Sequence, residues 1–188
     1  MNTTDINKSY KLKIIDNCIL FDKYIQDYIK LINSSIEDNF ILGFTKPLDN
    51  DIYNLYIDNI KQELKSKSLE LIFVFKNISL VATVSLRYFK NTSKAHICEI
   101  HKGIIKKEER SLAVLKELFR AIVSQTEHHG ISKIVLDVRE NSKAHKMWKY
   151  IGFSEYGKLL DYSRIGDESY AGCFMEIGLN KLKKFTGR

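Results

Sequence analysis

The stretch Ile131 to Phe153, ISKIVLDVRENSKAHKMWKYIGF, gathers residues suited to chemistry at one place in the chain. Ile134, Val135 and Leu136 run into an acid, Asp137, and Asn141-x-x-Ala144 then opens a short helix that stops at Gly152. Such an apolar run reads as a parallel strand buried on both faces, and ligands in α/β folds collect beyond the carboxyl ends of those strands. A second acid, Glu99, lies within HICEIH, where strand alternation puts Ile97, Glu99 and His101 on one face and His96 on the other. That parity opposes a metal shared by the two histidines, and no metal is expected. His128 and His129 read as favourable charge at a helix C-terminus.

The elements around these residues follow from periodicity. Lys11 to Ile15 predicts a first strand. Phe21, Tyr24, Ile25, Tyr28, Leu31 and Ile32 recur at helical spacing and predict a helix over Leu20 to Ile36. Asn39 to Asn50, with Gly43 and Pro47, breaks the pattern, and Asp49 or Asn50 is placed to cap a second helix that turns Ile52, Leu55, Tyr56, Ile60 and Leu64 inward. Leu69 to Phe75 and Ile78 to Tyr88 are β-branched and aromatic, and meet at Lys76-Asn77 as a hairpin. Ala95 to Ile105 predicts a strand. A basic turn then leads to a helix from about Glu108 to His129 that buries Leu112, Leu115, Leu118, Phe119 and Ile122, with Gly130 in the left-handed position after it. Lys133 to Val138 is the buried strand, Ser142 to Ile151 a short helix, and two strands joined near Gly166-Asp167 complete the chain.

With 188 residues, 44% of them hydrophobic and 28% charged, the chain is sized for one core, so residues 1–188 are read as a single domain. No apolar run reaches the roughly 20 residues of a membrane helix, and MNTTDINKSY lacks the apolar core of a signal peptide, so a cytoplasmic protein without a membrane partner is expected. Cys18, Cys98 and Cys173 stand singly, as buried small hydrophobes do. The net charge of +7 is spread along the chain, which disfavours a nucleic-acid partner. Lys181, Lys183, Lys184 and Arg188 read as a solvated tail, and a homodimer is left open.

The order strand, basic turn with Arg110, long helix, buried strand, Asn141-x-x-Ala144 and Gly152-Phe153 resembles the acyl-CoA core of the GNAT superfamily of N-acetyltransferases. Gly43-Phe44-x-x-Pro47-Leu48, Glu99-x-x-Lys102, Leu136-Asp137-Val138-Arg139 and the segment from Gly157 to Tyr162 are similar to the tabtoxin-resistance-like subgroup. The resemblance implies an α/β (α+β) fold, a mixed and mostly antiparallel sheet with one splayed parallel pair and flanking helices. It implies transfer of an acetyl or other small acyl group from acetyl-CoA to the amine of a small molecule. The cofactor would pair with backbone at Ile104 and Ile105, set its phosphates on the turn Arg110, Ser111, Leu112, Ala113, Val114 and Leu115, and meet Asn141 and Trp148. In the family that turn is Arg-Gly-x-Gly-x-Gly/Ala, whereas here only Arg110 is retained, and Leu115 either crowds the pyrophosphate or turns into the core. Asn141 either bonds the pantetheine or caps the next helix.

Aminolysis of a thioester needs a proton acceptor for the amine and a donor for the departing thiolate. The resemblance assigns the acceptor to Glu99 or Asp137; because the family's usual tyrosine falls at Trp148, the donor is either solvent or a nearby phenol, Tyr162 being a better choice than Tyr150. Both acids also have a reading without chemistry, Glu99 as a strand-face acid paired with Lys102 or His101, and Asp137 as an anchor for backbone N–H groups. A rival reading of the altered turn is a GNAT-like module that binds a metabolite or protein without catalysis.

Overall fold

The computed structural model describes residues 10–39, 44, 48 and 50–187; Gly43, Pro47, Asp49 and Arg188 lie outside them. The helical periodicities become α1 (Cys18–Asn39) and α2 (Asn50–Lys65), and the strand-forming runs become β1 (Tyr10–Ile15), β2 (Leu69–Lys76) and β3 (Ser79–Tyr88). Then follow β4 (Ile97–Ile105), α3 (Leu112–His128), β5 (Lys133–Arg139), α4 (Lys143–Ile151), β6 (Ser154–Ile165), β7 (Glu168–Gly178) and α5 (Leu179–Thr186). The strands are hydrogen-bonded in the order β1-β2-β3-β4-β5-β7-β6. β4 and β5 run parallel, while β1–β2, β5–β7 and β6–β7 are antiparallel, the mixed α/β architecture expected from the sequence. Among the described residues no helix is long and apolar enough to cross a membrane.

The chain divides into two compact units, Met1–Leu86 with Lys102–Ala121 and Arg87–His101 with Ile122–Arg188. In the first, Phe21, Tyr28, Leu31 and Ile32 of α1 and Ile57, Ile60 and Leu64 of α2 form a core with Leu71, Phe73 and Phe75 of β2 and with Ile104. The α2 stripe runs through Tyr53, Tyr56, Ile57, Ile60 and Leu64, which leaves Ile52 and Leu55 exposed, contrary to expectation. One position of rotation on a helix suffices for that. The Tyr28 ring stacks on Phe73 with centroids 5.6 Å apart and its hydroxyl meets that of Tyr56 at 2.7 Å. Burial pushes the Tyr28 phenol up to about 12.

The helix expected from Glu108 starts later, at Leu112. Lys107–Glu109 forms a separate 3-10 turn, and Arg110 after it is extended at φ −66°, ψ 98°. Tertiary contacts hold that turn apart: the Glu109 carboxylate accepts from Lys76 Nζ at 2.8 Å and from the Tyr10 hydroxyl at 3.1 Å. Ser111 then caps α3, its Oγ accepting the Val114 N–H at 3.3 Å. With this start Leu112 is half exposed, not buried as expected, and Leu115 turns into the core.

In the second unit β5 buries Ile134, Leu136 and Val138 and leaves Lys133, Val135, Asp137 and Arg139 half-buried, so it has one apolar face where two were expected. The short helix α4 is capped by Ser142, whose Oγ accepts the His145 N–H at 3.0 Å, and it ends at Gly152 in the left-handed region, φ 112°. Asn141 therefore does not cap it. Buried His145 ties three pieces together: Nδ1 accepts the Asn141 N–H at 3.1 Å, so Nε2 has the proton and donates to Glu155 of β6 at 2.9 Å. Trp148 packs against Phe153, centroids 5.1 Å apart. The basic tail is not a loose end but α5, which buries Leu179, Leu182 and Thr186 and pairs Lys183 with Glu127 of α3 at 2.6 Å. Cys98 and Cys173 are buried as expected, while Cys18 is only partly so. His129 packs at a tilt against Tyr88, centroids 4.2 Å apart, a contact that the helix-dipole reading did not foresee.

Leu115→Ala should lower stability by about 2–5 kcal/mol in urea unfolding, the range for a buried leucine, while Leu112→Ala should change it by less than about 0.5 kcal/mol. Equal effects would show that the start of α3 is misplaced. A second expectation concerns Glu155, whose carboxyl is held at about 2 by Lys149 and then by His145. A folded value below the unfolded one contributes stability above the ordinary glutamate value of about 4.3 and loses it as pH falls through that value toward about 2. The melting-temperature gap between wild type and Glu155→Gln should therefore be open at neutral pH and close on acidification.

Candidate active site

The parallel ladder pairs Ile97 with Lys133, Cys98 with Ile134 and Glu99 with Val135. Because side chains alternate and paired residues point to the same face, Glu99, His101, Val135 and Asp137 share one side, opposite the buried Cys98, Ile100, Ile134 and Leu136. The ligand atoms of Glu99, His101 and Asp137 consequently lie within 4.8 Å of one another. Glu99 Oε2 is 2.7 Å from His101 Nε2, and Nη1 of Arg87, on β3, is 3.8 Å from that oxygen. The hydrogen bond from His101 holds the Glu99 carboxyl below the usual range, Arg87 adding to it and burial opposing. Of the two partners considered for Glu99, His101 is the one in contact; Lys102 has its Nζ over the Phe44 ring, 4.7 Å from the centroid.

The fourth member comes from β6. Between Leu159, opposite Gly172, and Ser163, opposite Tyr170, the register slips, and Asp161 within the slip has φ 54°. A bulge of this kind re-aims a side chain. Here it lays the Tyr162 ring across Gly172, where any Cβ would fall within the ring, and its hydroxyl donates to Asp137 Oδ2. Asp137 thus accepts a phenol proton, not the backbone N–H groups of a strand-end anchor. Burial first, and then the Asp137 carboxylate, push the Tyr162 phenol far above its ordinary value. Tyr156 is raised likewise, by burial and by the charges of Glu99, Glu176 and Asp137. Phe174, opposite Asp137 on β7, closes the group with an edge contact to Tyr162, centroids 6.4 Å apart.

In the first unit, residues 110–115 contain no positive φ, so Ser111 and Ala113 sit where glycine's special conformations are not required. The Val114 N–H is taken by Ser111 Oγ and the Leu115 N–H by the Ser111 carbonyl at 3.1 Å, which leaves Leu112 and Ala113 as N–H groups at the exposed helix start that have no intrahelical acceptor. Nearby acids are neutralised, Glu108 by Lys106 at 3.1 Å and Glu109 by Lys76. Arg110 Nε donates to the Ile105 carbonyl at 3.0 Å, tying the basic turn to the end of β4; Ile104 is buried. A helix start of this make-up fits a phosphate group. In the second unit, Asn141 stands at φ 60° ahead of α4, and Trp148 is buried.

Sequence reasoning placed Glu99, Asp137 and Tyr162, and these three are brought together. It missed His101 as a member, although the period-two pattern already put it beside Glu99, and it had no signal for Arg87 or Gly172, whose positions depend on pairing across the sheet. Tyr150 is exposed, its ring 6.1 Å from Phe185. A second group of metal-type ligands, His145, Glu155 and Cys173, also lies within 4.8 Å, but Lys149 Nζ is 2.6 Å from the same Glu155 oxygen that meets His145. A cation is already in place there.

Comparison with known proteins gives a consistent picture. A family model described as "Acetyltransferase (GNAT) family" matches residues 33–153. Among solved structures, spermidine N-acetyltransferase from Vibrio cholerae in complex with CoA and spermine superposes with a TM-score of 0.71 at 18% identity, covering 94% of this chain and 99% of that one. An N-acetyltransferase from Staphylococcus aureus Mu50 gives 0.70 at 13% identity, covering 90% and 99%. Ribosomal-protein-alanine N-acetyltransferase from Brucella melitensis gives 0.67 at 12%, covering 88% and 99%. At these identities the likeness is one of fold. No curated protein sequence matches.

Gly172→Ala should destabilise the protein by about 1–3 kcal/mol, the cost of forcing extra volume into a filled site. Adding Tyr162→Ala should recover most of that loss in thermal unfolding. Additive losses in the double variant would mean that the ring does not lie on Gly172.

Proposed function

The chain belongs to the acetyltransferase (GNAT) family, whose acyl donor is acetyl-CoA, and on that footing we propose that it transfers an acetyl or other small acyl group to the amine of a small molecule. The observation that supports this best is the convergence of Glu99, His101, Asp137 and Tyr162 on one face of the sheet in the second unit. When bound, acetyl-CoA supplies an activated thioester carbonyl. The chain's own work is then to hold the amine, remove its proton and meet the departing sulfur. Two carboxylates against one guanidinium leave the site net negative with the imidazole neutral, which attracts a protonated amine before it is deprotonated. The Glu99 and His101 end receives the proton, and Asp137 orients the Tyr162 hydroxyl. Its raised value keeps that phenol protonated through neutral pH, the state a donor must be in, while limiting it to hydrogen bonding or late proton transfer.

For the donor, Arg110 to Leu115 are the proposed phosphate residues, Ile104 and Ile105 the proposed backbone partners, and Asn141 and Trp148 the proposed contacts along the cofactor arm. Residues 1–188 are proposed to act as one cytoplasmic acyltransferase domain, and the LDVR segment and the Gly157 to Tyr162 run support kinship with the tabtoxin-resistance-like enzymes. One feature favours the rival, non-catalytic reading: Ser111 Oγ occupies the Val114 N–H that a phosphate would otherwise accept from.

Calorimetry separates the two. Acetyl-CoA should bind and raise the melting temperature, by an amount corresponding to roughly 2.7 kcal/mol at 100 Kd. With a panel of small primary amines, including spermidine, putrescine and glycine, release of CoA thiol should be measurable, and Tyr162→Phe should lower kcat without changing acetyl-CoA affinity. No thermal shift at millimolar CoA would defeat the enzyme reading.

A further inference from the structure

We propose that the group that takes the amine's proton is His101, through Nδ1, and that Glu99 serves it by holding the ring. This rests on the acyl-transfer reading above. The His101 Nε2 atom is 2.7 Å from Glu99 Oε2 and also 2.9 Å from Arg87 Nη1. A neutral imidazole nitrogen has either a proton or a lone pair, and a guanidinium only donates. If Nε2 accepted from Arg87, its lone pair would face a carboxylate oxygen at 2.7 Å with no proton between them. With the proton on Nε2, the shorter contact, to Glu99 at 2.7 Å, is a charge-assisted hydrogen bond, and Arg87 is an ion-pair partner of that carboxylate at 3.8 Å. The 2.9 Å approach of Arg87 to Nε2 is then a donor beside a donor, which the shared carboxylate charge offsets. The lone pair of the neutral ring is then on Nδ1. A carboxylate that fixes the tautomer and leaves the other nitrogen as base is the division of labour in the Ser-His-Asp triad.

The surroundings agree. The groups facing the ring are Arg87 from β3, Glu99 from β4, Asp137 from β5 and, through those acids, Tyr156 and Tyr162 from β6. Arg87 opposes a positive imidazole, and the two carboxylates favour it. Glu99, already committed to His101 and Arg87, is a weakened base for a third proton. In the reaction the amine lone pair forms the N–C bond to the acyl carbon, and the C–S bond breaks with its electron pair on sulfur. The nitrogen's surplus proton moves to His101 Nδ1 and from there to solvent, and sulfur takes a proton from Tyr162, reloaded from water, or from water itself. Amine and thioester thereby become amide and thiol.

Ring ¹⁵N NMR of the wild-type protein tests the tautomer without catalysis: His101 should show a protonated Nε2 and a bare Nδ1, a preference weakened in Glu99→Gln. Kinetics then use the fastest amine of the panel. His101→Gln should lower kcat/KM by about 10²–10⁴-fold with acetyl-CoA affinity by calorimetry unchanged, and added imidazole should restore part of the rate to His101→Ala. The limb of the rate profile that an imidazole gives between about pH 5 and 8 should vanish in His101→Gln and persist, displaced, in Glu99→Gln. A wild-type Nδ1–H tautomer, or a His101→Gln enzyme that keeps its rate and its limb, overturns the proposal and returns the role to Glu99. Wild-type protein that binds acetyl-CoA yet acylates no amine is a separate outcome, which defeats the function itself. Should the variants fail to fold, the wild-type tautomer still decides.

Discussion

The register of the β4–β5 ladder is the constraint on which the rest depends. Glu99 opposite Val135, in parallel strands, puts every odd-numbered residue near that pair on one face. The same parity sends Cys98, Ile100, Ile134 and Leu136 into the apolar core. A slip of β4 by one residue would bury Glu99 and His101 and expose Cys98 and Ile100, and a slip of β5 would bury Asp137 and expose Ile134 and Leu136, so the hydrophobic effect itself enforces the site's geometry. The polar group is a by-product of correct burial behind it.

Having collected acids on one face, the protein must satisfy them. Half-buried carboxylates are costly without partners, and each has one: His101 of the same strand and Arg87 of β3 for Glu99, the Tyr162 hydroxyl of β6 for Asp137. The last of these needs an irregular strand and a residue without a side chain. The β6 bulge turns the ring and Gly172 receives it, so one backbone feature and one missing Cβ together position the phenol.

The start of α3 illustrates the opposite economy of means. Departure from a glycine-rich turn is tolerated there because the backbone stays at negative φ and because the bulky residue, Leu115, faces the core. What glycine would add in this place is room, and the N–H groups of Leu112 and Ala113 have no acceptor within the helix. The acids beside the turn are paired, Glu108 with Lys106 and Glu109 with Lys76.

Periodicity by itself determined most elements, because alternation and helical spacing are local consequences of which side chains avoid water. It also put Glu99 and His101 on one face and made Asp137 a strand-end acid. Boundaries went astray where distant residues intervened: Lys76 and Tyr10 hold Glu109 in its own turn, Ser142 in place of Asn141 shows how the cap of α4 is taken by whichever side chain the backbone presents, and α5 forms because Leu179 and Leu182 find a core to enter. The meeting of His101, Arg87, Asp137 and Tyr162 was decided by tertiary structure alone. Strand order and register bring together residues 87, 101, 137 and 162, and no local pattern encodes which strands pair or where a bulge will turn a side chain toward them.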